Sequence, residues 1–189
     1  GPEAIAVELD ASRYRALMSG ERDKSRDPLT KLLSGMEEKI AESNGVFPGS
    51  EMVAAAEYSS EHSIPLYLID QNFYETMQKL KKMGFREKAK IYLSVFTSFF
   101  IPKKSVEREI ENLVDNLDSV MIEFRKKFPR IASILIDERN TYMALKLMEL
   151  KHERTAAIVG DAHVDGIERE IRARSPSCVI DKVRLSDLT

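Results

Sequence analysis

Three short apolar runs, each stopped by a polar group, constrain this chain more than any other feature. Ala4-Ile5-Ala6-Val7 runs into Glu8, Leu66-Tyr67-Leu68-Ile69 into Asp70, and Ala156-Ala157-Ile158-Val159 into Gly160, with His163 three residues further on. The runs do not alternate apolar with polar residues, which suits strands covered on both faces rather than strands with one wet face. They predict strands over 4–10, over 64–70 and immediately before Gly160. Open α/β sheets place their chemistry at the carboxyl ends of parallel strands, so the groups that stop these runs are the candidate site.

Helical patterns separate the runs. Residues 13–20 follow the first strand, with Gly20 as a C-cap. Residues 21–31 read as an exposed charged loop and 32–43 as a helix closed by the Asn44-Gly45 turn. Ser50 stands where an N-cap belongs, ahead of an alanine-rich helix over 52–61. Residues 71–83 form an amphipathic helix with Phe73, Met77 and Leu80 on one face. After Gly84 the strands stop, and 85–100, 106–124 and 131–150 read as three helices. Ile110, Leu113, Leu117, Val120, Met121 and Phe124 make one apolar stripe. Helix resumes over 164–173, and Cys178 to Val183 reads as a last strand with Cys178 buried in it. The fold class that follows is α/β: a central, mainly parallel sheet flanked by helices, with a mostly helical insertion before the last strands. One domain covers 1–189, and the helical segment takes up about 85–150 of it.

Composition excludes several functions. A net charge of -2 gives no electrostatic case for nucleic acid as a partner. The single cysteine rules out an internal disulfide and a thiolate zinc cluster within one chain, and favours a reducing compartment. The most apolar run, Ile91 to Ile101, falls short of the ~20 residues that cross a bilayer. It reads as a buried helix or an oligomer contact, and with 106–124 it offers a homodimer seam.

The polar residues converge on one edge. Glu8, Asp70 and His163 meet there if the strands are parallel neighbours, and Glu51, at a helix start, can join them. His163 reads as a ligand or an acid/base group. Asp137-Glu138-Arg139-Asn140 is a dense polar patch in an otherwise apolar helix. Arg139 and Asn140 either hold a substrate or pair with a carboxylate that fixes the helix on the sheet. One histidine with two carboxylates suits zinc, manganese or cobalt. His62 and His152, in charged helix-end contexts, read as surface residues.

The same residues carry a resemblance. Ala6-Val7-Glu8-Leu9-Asp10, Pro48-Gly49-Ser50-Glu51-Met52, Leu68-Ile69-Asp70, Asp137-Glu138-Arg139-Asn140-x-Tyr142-Met143 and Val159-Gly160-Asp161-Ala162-His163-Val164-x-Gly166-Ile167 stand in the order seen in the TraB/PrgY pheromone-shutdown family. The chain resembles that family, a relative of the Tiki and GumN proteins, over nearly its whole length. In that superfamily two Gly-x-x-His motifs, a strand glutamate, a second glutamate and an arginine are proposed to form a metal-dependent peptidase site. TraB and PrgY members are tied to inhibiting peptide pheromone signals, often through membrane-anchored proteins. The resemblance implies that Glu8, Glu51, Arg139 and His163 are catalytic. It implies that His163, Glu8 and Glu51 hold the metal, and it makes Asp70 the fourth acid. Arg139 would orient or stabilise an oxyanion, and Asn140 and Asp70 would hold the substrate.

The departures are specific. The family's first Gly-x-x-His lies on a strand upstream of Val7-Glu8-Leu9-Asp10, and residue 1 falls too late to include it. Residues 23–38 are shorter than the family pattern, Gln71 replaces a basic residue, and the C-terminal membrane helices of TraB proteins are absent. The resemblance thus implies a metal-dependent hydrolase acting on peptide signals. Half a histidine pair implies instead a module that binds a peptide or protein ligand without chemistry. Either would sit in the cytoplasm or as the soluble domain of a membrane-anchored protein.

Overall fold

The computed structural model describes residues 1–19, 49–84, 117–184 and 187. Its centre is strand β1 (Ala4–Val7), buried at every position. β2 (Leu66–Leu68) and β3 (Thr155–Ile158) flank it in the order β2-β1-β3, both parallel to it. Ile5 stands opposite Leu66 and Ala156, and Val7 opposite Leu68 and Ile158. All three strands therefore end side by side, which is what an α/β chain with parallel strands must do.

Helices follow each strand: α1 (Ala11–Ser19), α2 (Ser50–Glu61), α3 (Phe73–Lys81), α4 (Leu117–Lys127), α5 (Pro129–Ala132), α6 (Glu138–Glu149) and α7 (Asp161–Arg174). A single π-helical turn, Ser133–Asp137, joins α5 to α6. The two faces of β1 make two cores. Ile5 and Val7 pack with Leu9, Met52 and Ala55 on the α2 side. Ala6 packs with Ile69, Met143, Ala144, Ile167 and Ile171 on the α6 and α7 side. The small side chain of Ala6 lets Met143 and Ala144 come close, and all three are fully buried. A third cluster of Met77, Leu80, Met83, Ile131 and Ile134 ties α3 to α5 and the π turn, and Phe73 and Phe124 pack against it.

The α/β class, the parallel sheet and the apolar face of Phe73, Met77 and Leu80 are as the sequence implies. Several expectations are corrected. β3 is only half-buried with Ala157 exposed, and β2 is half-buried throughout, because each has β1 as its only partner among the described residues. The covered two-faced strand is β1. Ser50 opens α2 but does not cap it: Gly49 takes the cap position in the left-handed region (φ 85°). Cys178 to Val183 is not a strand and Cys178 is exposed. That segment turns at Ser175 and runs back along α7. Lys182 pairs with Asp165 and Glu168, and Arg184 with Asp165, so the segment is bound by surface ions and by Ile180 on the core rather than by a ladder. His62 is exposed, but His152 is half-buried with Nε2 2.8 Å from the Tyr67 hydroxyl. Gly20, the helix over 32–43, the Ile91 to Ile101 run, Ile110 and Leu113 lie outside the described residues.

Candidate functional site

Every strand delivers one group to the shared carboxyl edge. Glu8 follows β1 at once, on the Ala6 side, and its N–H donates to the Ile158 carbonyl (3.1 Å). Ile69 and Asp70 stay tied to the β1 exit, donating to Val7 (3.1 Å) and Leu9 (3.2 Å) carbonyls. Gly160 ends the β3 run, and α7 begins immediately after it. His163 N–H donates to the Gly160 carbonyl (2.9 Å), so the first helical turn swings the imidazole back over Glu8. Gly160 N–H itself donates to Glu8 Oε2 (2.7 Å). A Cβ at position 160 would stand 3.3 Å from that same oxygen, which explains a glycine where the carboxylate needs a close backbone donor. The Gly-x-x-His spacing is thus a device: one residue binds Glu8 by backbone and the other by side chain.

Arg139 is the hub. Its Nε donates to Asp70 Oδ1 (2.9 Å) and its Nη2 to Asp70 Oδ2 (2.8 Å), a forked two-bond pair. Nη2 also donates to Glu8 Oε1, and Nη1 reaches the Leu135 carbonyl (3.2 Å) in the π turn. The side chains of Asp70, Glu8 and Arg139 are 3%, 11% and 14% exposed. Burial works against the guanidinium's charge, but the bonds to Asp70 and the field of Glu8 and Asp70 outweigh it, so its pKa lies above the ordinary arginine value. Arg13, on α1, adds a second cation: Nη1 donates to Asp70 Oδ2 at 3.3 Å, with its side chain 38% exposed at the rim.

His163 is buried, with Nε2 3.3 Å from Glu8 Oε1 and Nδ1 2.6 Å from Asn140 Oδ1. Burial pushes its pKa below the ordinary histidine value. Arg139 pushes the same way, and Glu8 and Asp70 oppose. Asp10 does different work. Its Oδ1 accepts from Ser12 N–H (2.7 Å) and Arg13 N–H (3.3 Å), and its Oδ2 from Phe73 N–H (3.2 Å). Burial raises its pKa, but the hydrogen bond from the Ser12 hydroxyl, together with these backbone ones, wins and it is lowered overall. Asp10 therefore caps α1 and clamps the start of α3 to it, which fixes Arg13 beside Asp70.

The structure brings Glu8, Asp70, Arg139, Asn140 and His163 into one contiguous network. It does not bring Glu51, which stands exposed in the first turn of α2 with no hydrogen bond or ion pair to the others. Asn140, an expected substrate ligand, is 2% exposed and holds His163. The sequence reading missed Arg13 and Gly166 as parts of the site. Arg13 was signalled by its place in the first turn of the helix after β1, and Gly166 by a glycine in mid-helix. The divalent cation that the resemblance implies does not fit the described donors. Both Asp70 oxygens and Glu8 Oε1 are taken by Arg139, Glu8 Oε2 by Gly160 N–H, and no three His, Cys, Asp or Glu side chains among the described residues converge as a metal needs. No helix among the described residues is long and apolar enough to cross a membrane.

The TraB/PrgY/gumN family model matches residues 1–173. A protein of uncharacterised function from Methanocaldococcus jannaschii is 32% identical over 199 residues, covering 97% of this chain and 50% of its own length. The chain thus spans about half of that relative. It belongs to the TraB/PrgY/gumN family.

Proposed function

We propose that this TraB/PrgY/gumN-family domain hydrolyses amide bonds in peptide signals at the Glu8–Arg139–His163 cluster. The observation that carries the reading is the Glu8–His163 contact: a carboxylate and a buried imidazole 3.3 Å apart at the carboxyl edge of a parallel sheet. Such a pair moves protons to and from a reacting group. Arg139 is paired with both Glu8 and Asp70, whose side chains are largely buried, so its cationic donors are held in place at the site. Glu8, held by Gly160 N–H and Arg139, has a fixed direction, which favours a defined attack geometry over a mobile base. No step here passes through a metal. The test is a peptide-library digest by the purified chain. Cleavage that falls by roughly 100-fold or more in Glu8→Gln and in His163→Ala supports the reading. Cleavage that is unaltered in His163→Ala sinks it.

A second reading, non-catalytic capture of a peptide or protein ligand, has its own support. Arg139 already pairs with both carboxylates and Arg13 adds a second cation to Asp70, so the resting network is closed on itself. Stoichiometric peptide binding that survives both chelation and His163→Ala, with no cleavage, favours capture.

A further inference from the structure

The buried amide of Asn140 decides which nitrogen of His163 carries the proton, and the surrounding groups discriminate between its two orientations. With Oδ1 on His163 Nδ1, the amide can only accept, so Nδ1 carries the hydrogen and Nε2 presents a lone pair. That lone pair then faces Glu8 Oε1, another acceptor, at 3.3 Å. The Asn140 Nδ2 group is meanwhile buried without a hydrogen-bond partner among the described residues. Two faults of this kind in one buried network are costly. Protonating both nitrogens answers the Glu8 contact but leaves Nδ2 orphaned and adds a buried cation beside Arg139.

Turning the amide over removes both faults together. Nδ2 then donates to His163 Nδ1, and Nε2–H donates to Glu8 Oε1. The amide oxygen comes to lie against Gly166. A Cβ built on Gly166 falls 1.9 Å from that end of the amide, so a Gly166 Cα–H bond points at it. A C–H hydrogen suits a carbonyl oxygen and repels an NH2 group. Gly166 and Glu8 thus favour the same orientation from opposite ends of the network.

We infer that Asn140 is a positioning residue that holds His163 as the Nε2–H tautomer, donating to Glu8, with Gly166 accommodating the turned amide. This deepens the hydrolase reading and rests on it only for the roles that follow. Glu8 is first the base and then the acid, and His163 holds it through Nε2–H. Water attacks the carbonyl carbon and gives a proton to Glu8. The C–N bond then breaks, and the leaving nitrogen takes that proton back from Glu8, which returns to the carboxylate. His163 keeps its Nε2 proton throughout and steadies Glu8 across the 3.3 Å contact.

The chain has three histidines, so long-range 1H–15N spectra of 15N-histidine protein are readily assigned, with His163→Gln removing one set. We expect His163 in the wild-type chain at pH 8 to show the Nε2–H pattern. Asn140→Asp, whose carboxylate can only accept, reverses it to Nδ1–H. A wild-type Nδ1–H pattern, a doubly protonated ring, or an unchanged pattern in Asn140→Asp each overturns the inference. Should Asn140→Asp fail to fold, the wild-type spectrum decides alone. The spectrum does not depend on turnover, so a correct tautomer with no peptide cleavage rejects the hydrolase reading and leaves the assignment standing.

Discussion

Gly166→Ala is the substitution for which this structure makes the sharpest demand. In an ordinary helix interior, alanine is about 1 kcal/mol better than glycine. Here the new methyl would meet Asn140 Nδ2 at 1.9 Å, Cγ at 2.6 Å and Cβ at 3.3 Å. Neither partner can yield. Gly166 sits in the middle of α7, and Asn140 is 2% exposed on α6 beside fully buried Met143 and Ala144. The amide can move aside only by releasing His163, which leaves buried polar groups unpaired at a cost of about 1–3 kcal/mol. Overpacking adds a further ~1–3 kcal/mol. After the propensity gain, the net loss is about 3 kcal/mol, or a fall in Tm of about 6–12 °C for a chain of this size. Urea denaturation of a double-mutant cycle isolates the cause. Asn140→Ala removes the clashing amide, so Gly166→Ala in that background should cost nothing or stabilise, giving a coupling of about 2 kcal/mol or more. Additive effects of the two substitutions would refute the reasoning, and so would a Gly166→Ala chain more stable than wild type.

Three further perturbations test the rest of the network. Arg139→Met strands two buried carboxylates and should cost about 3–5 kcal/mol in urea unfolding. Arg139→Lys should recover little of it, since an ammonium cannot fork to Asp70, and full recovery by lysine would count against the two-bond geometry. Burial holds His163 below its ordinary pKa, so between about pH 6.5 and the folded value the unfolded chain binds the extra proton. Its contribution to stability is complete above about pH 6.5, falls as pH drops through that window, then levels off. His163→Gln should flatten the profile there, and equal slopes would contradict the buried neutral ring. Asp10→Ala removes the cap of α1 and the link to Phe73 and should cost about 1–2 kcal/mol. It should also loosen Arg13, read as faster amide exchange in α1, and unchanged exchange there would show that the clamp does not hold that helix.

What could be read from the sequence follows from how local each cause is. The parallel sheet and the edge where its polar groups gather were legible, because the apolar runs before Glu8, Asp70 and Gly160 state both the strand and its end. The half-buried state of β3 was not, since burial of an edge strand depends on which neighbour covers it. The last segment failed for another reason: Cys178, Val179 and Ile180 are apolar enough for a strand, but Lys182 and Arg184 find acids on α7 and draw the segment onto that helix. Arg139 was visible as a misplaced charge, and its two carboxylate partners follow once the strand order is known. Asn140 was visible only as a polar residue. Its role depends on a glycine 26 residues later, and only packing reveals that (166 minus 140).

The polar patch at the start of α6 had two readings, a substrate-holding face or an ion pair that fixes the helix, and the geometry shows why one sequence signal served several ends. Consecutive residues on an α-helix are separated by about 100°, so four in a row point nearly all the way round it. Asp137 pairs with Arg125 of α4, Glu138 with Lys79 of α3, Arg139 with Glu8 and Asp70 at the sheet, and Asn140 with His163 of α7. Each therefore has a partner in a different direction. The π turn that ends at Asp137 widens the helix by one residue, and its Leu135 carbonyl accepts from Arg139 Nη1. A regular turn there would rotate the following residues by about 100° and send Arg139 away from the carboxylates. Deleting one residue within Ser133–Asp137 should restore a regular helix and disconnect Arg139 from both acids. A deletion chain that keeps wild-type stability would mean the turn does not set the direction of Arg139.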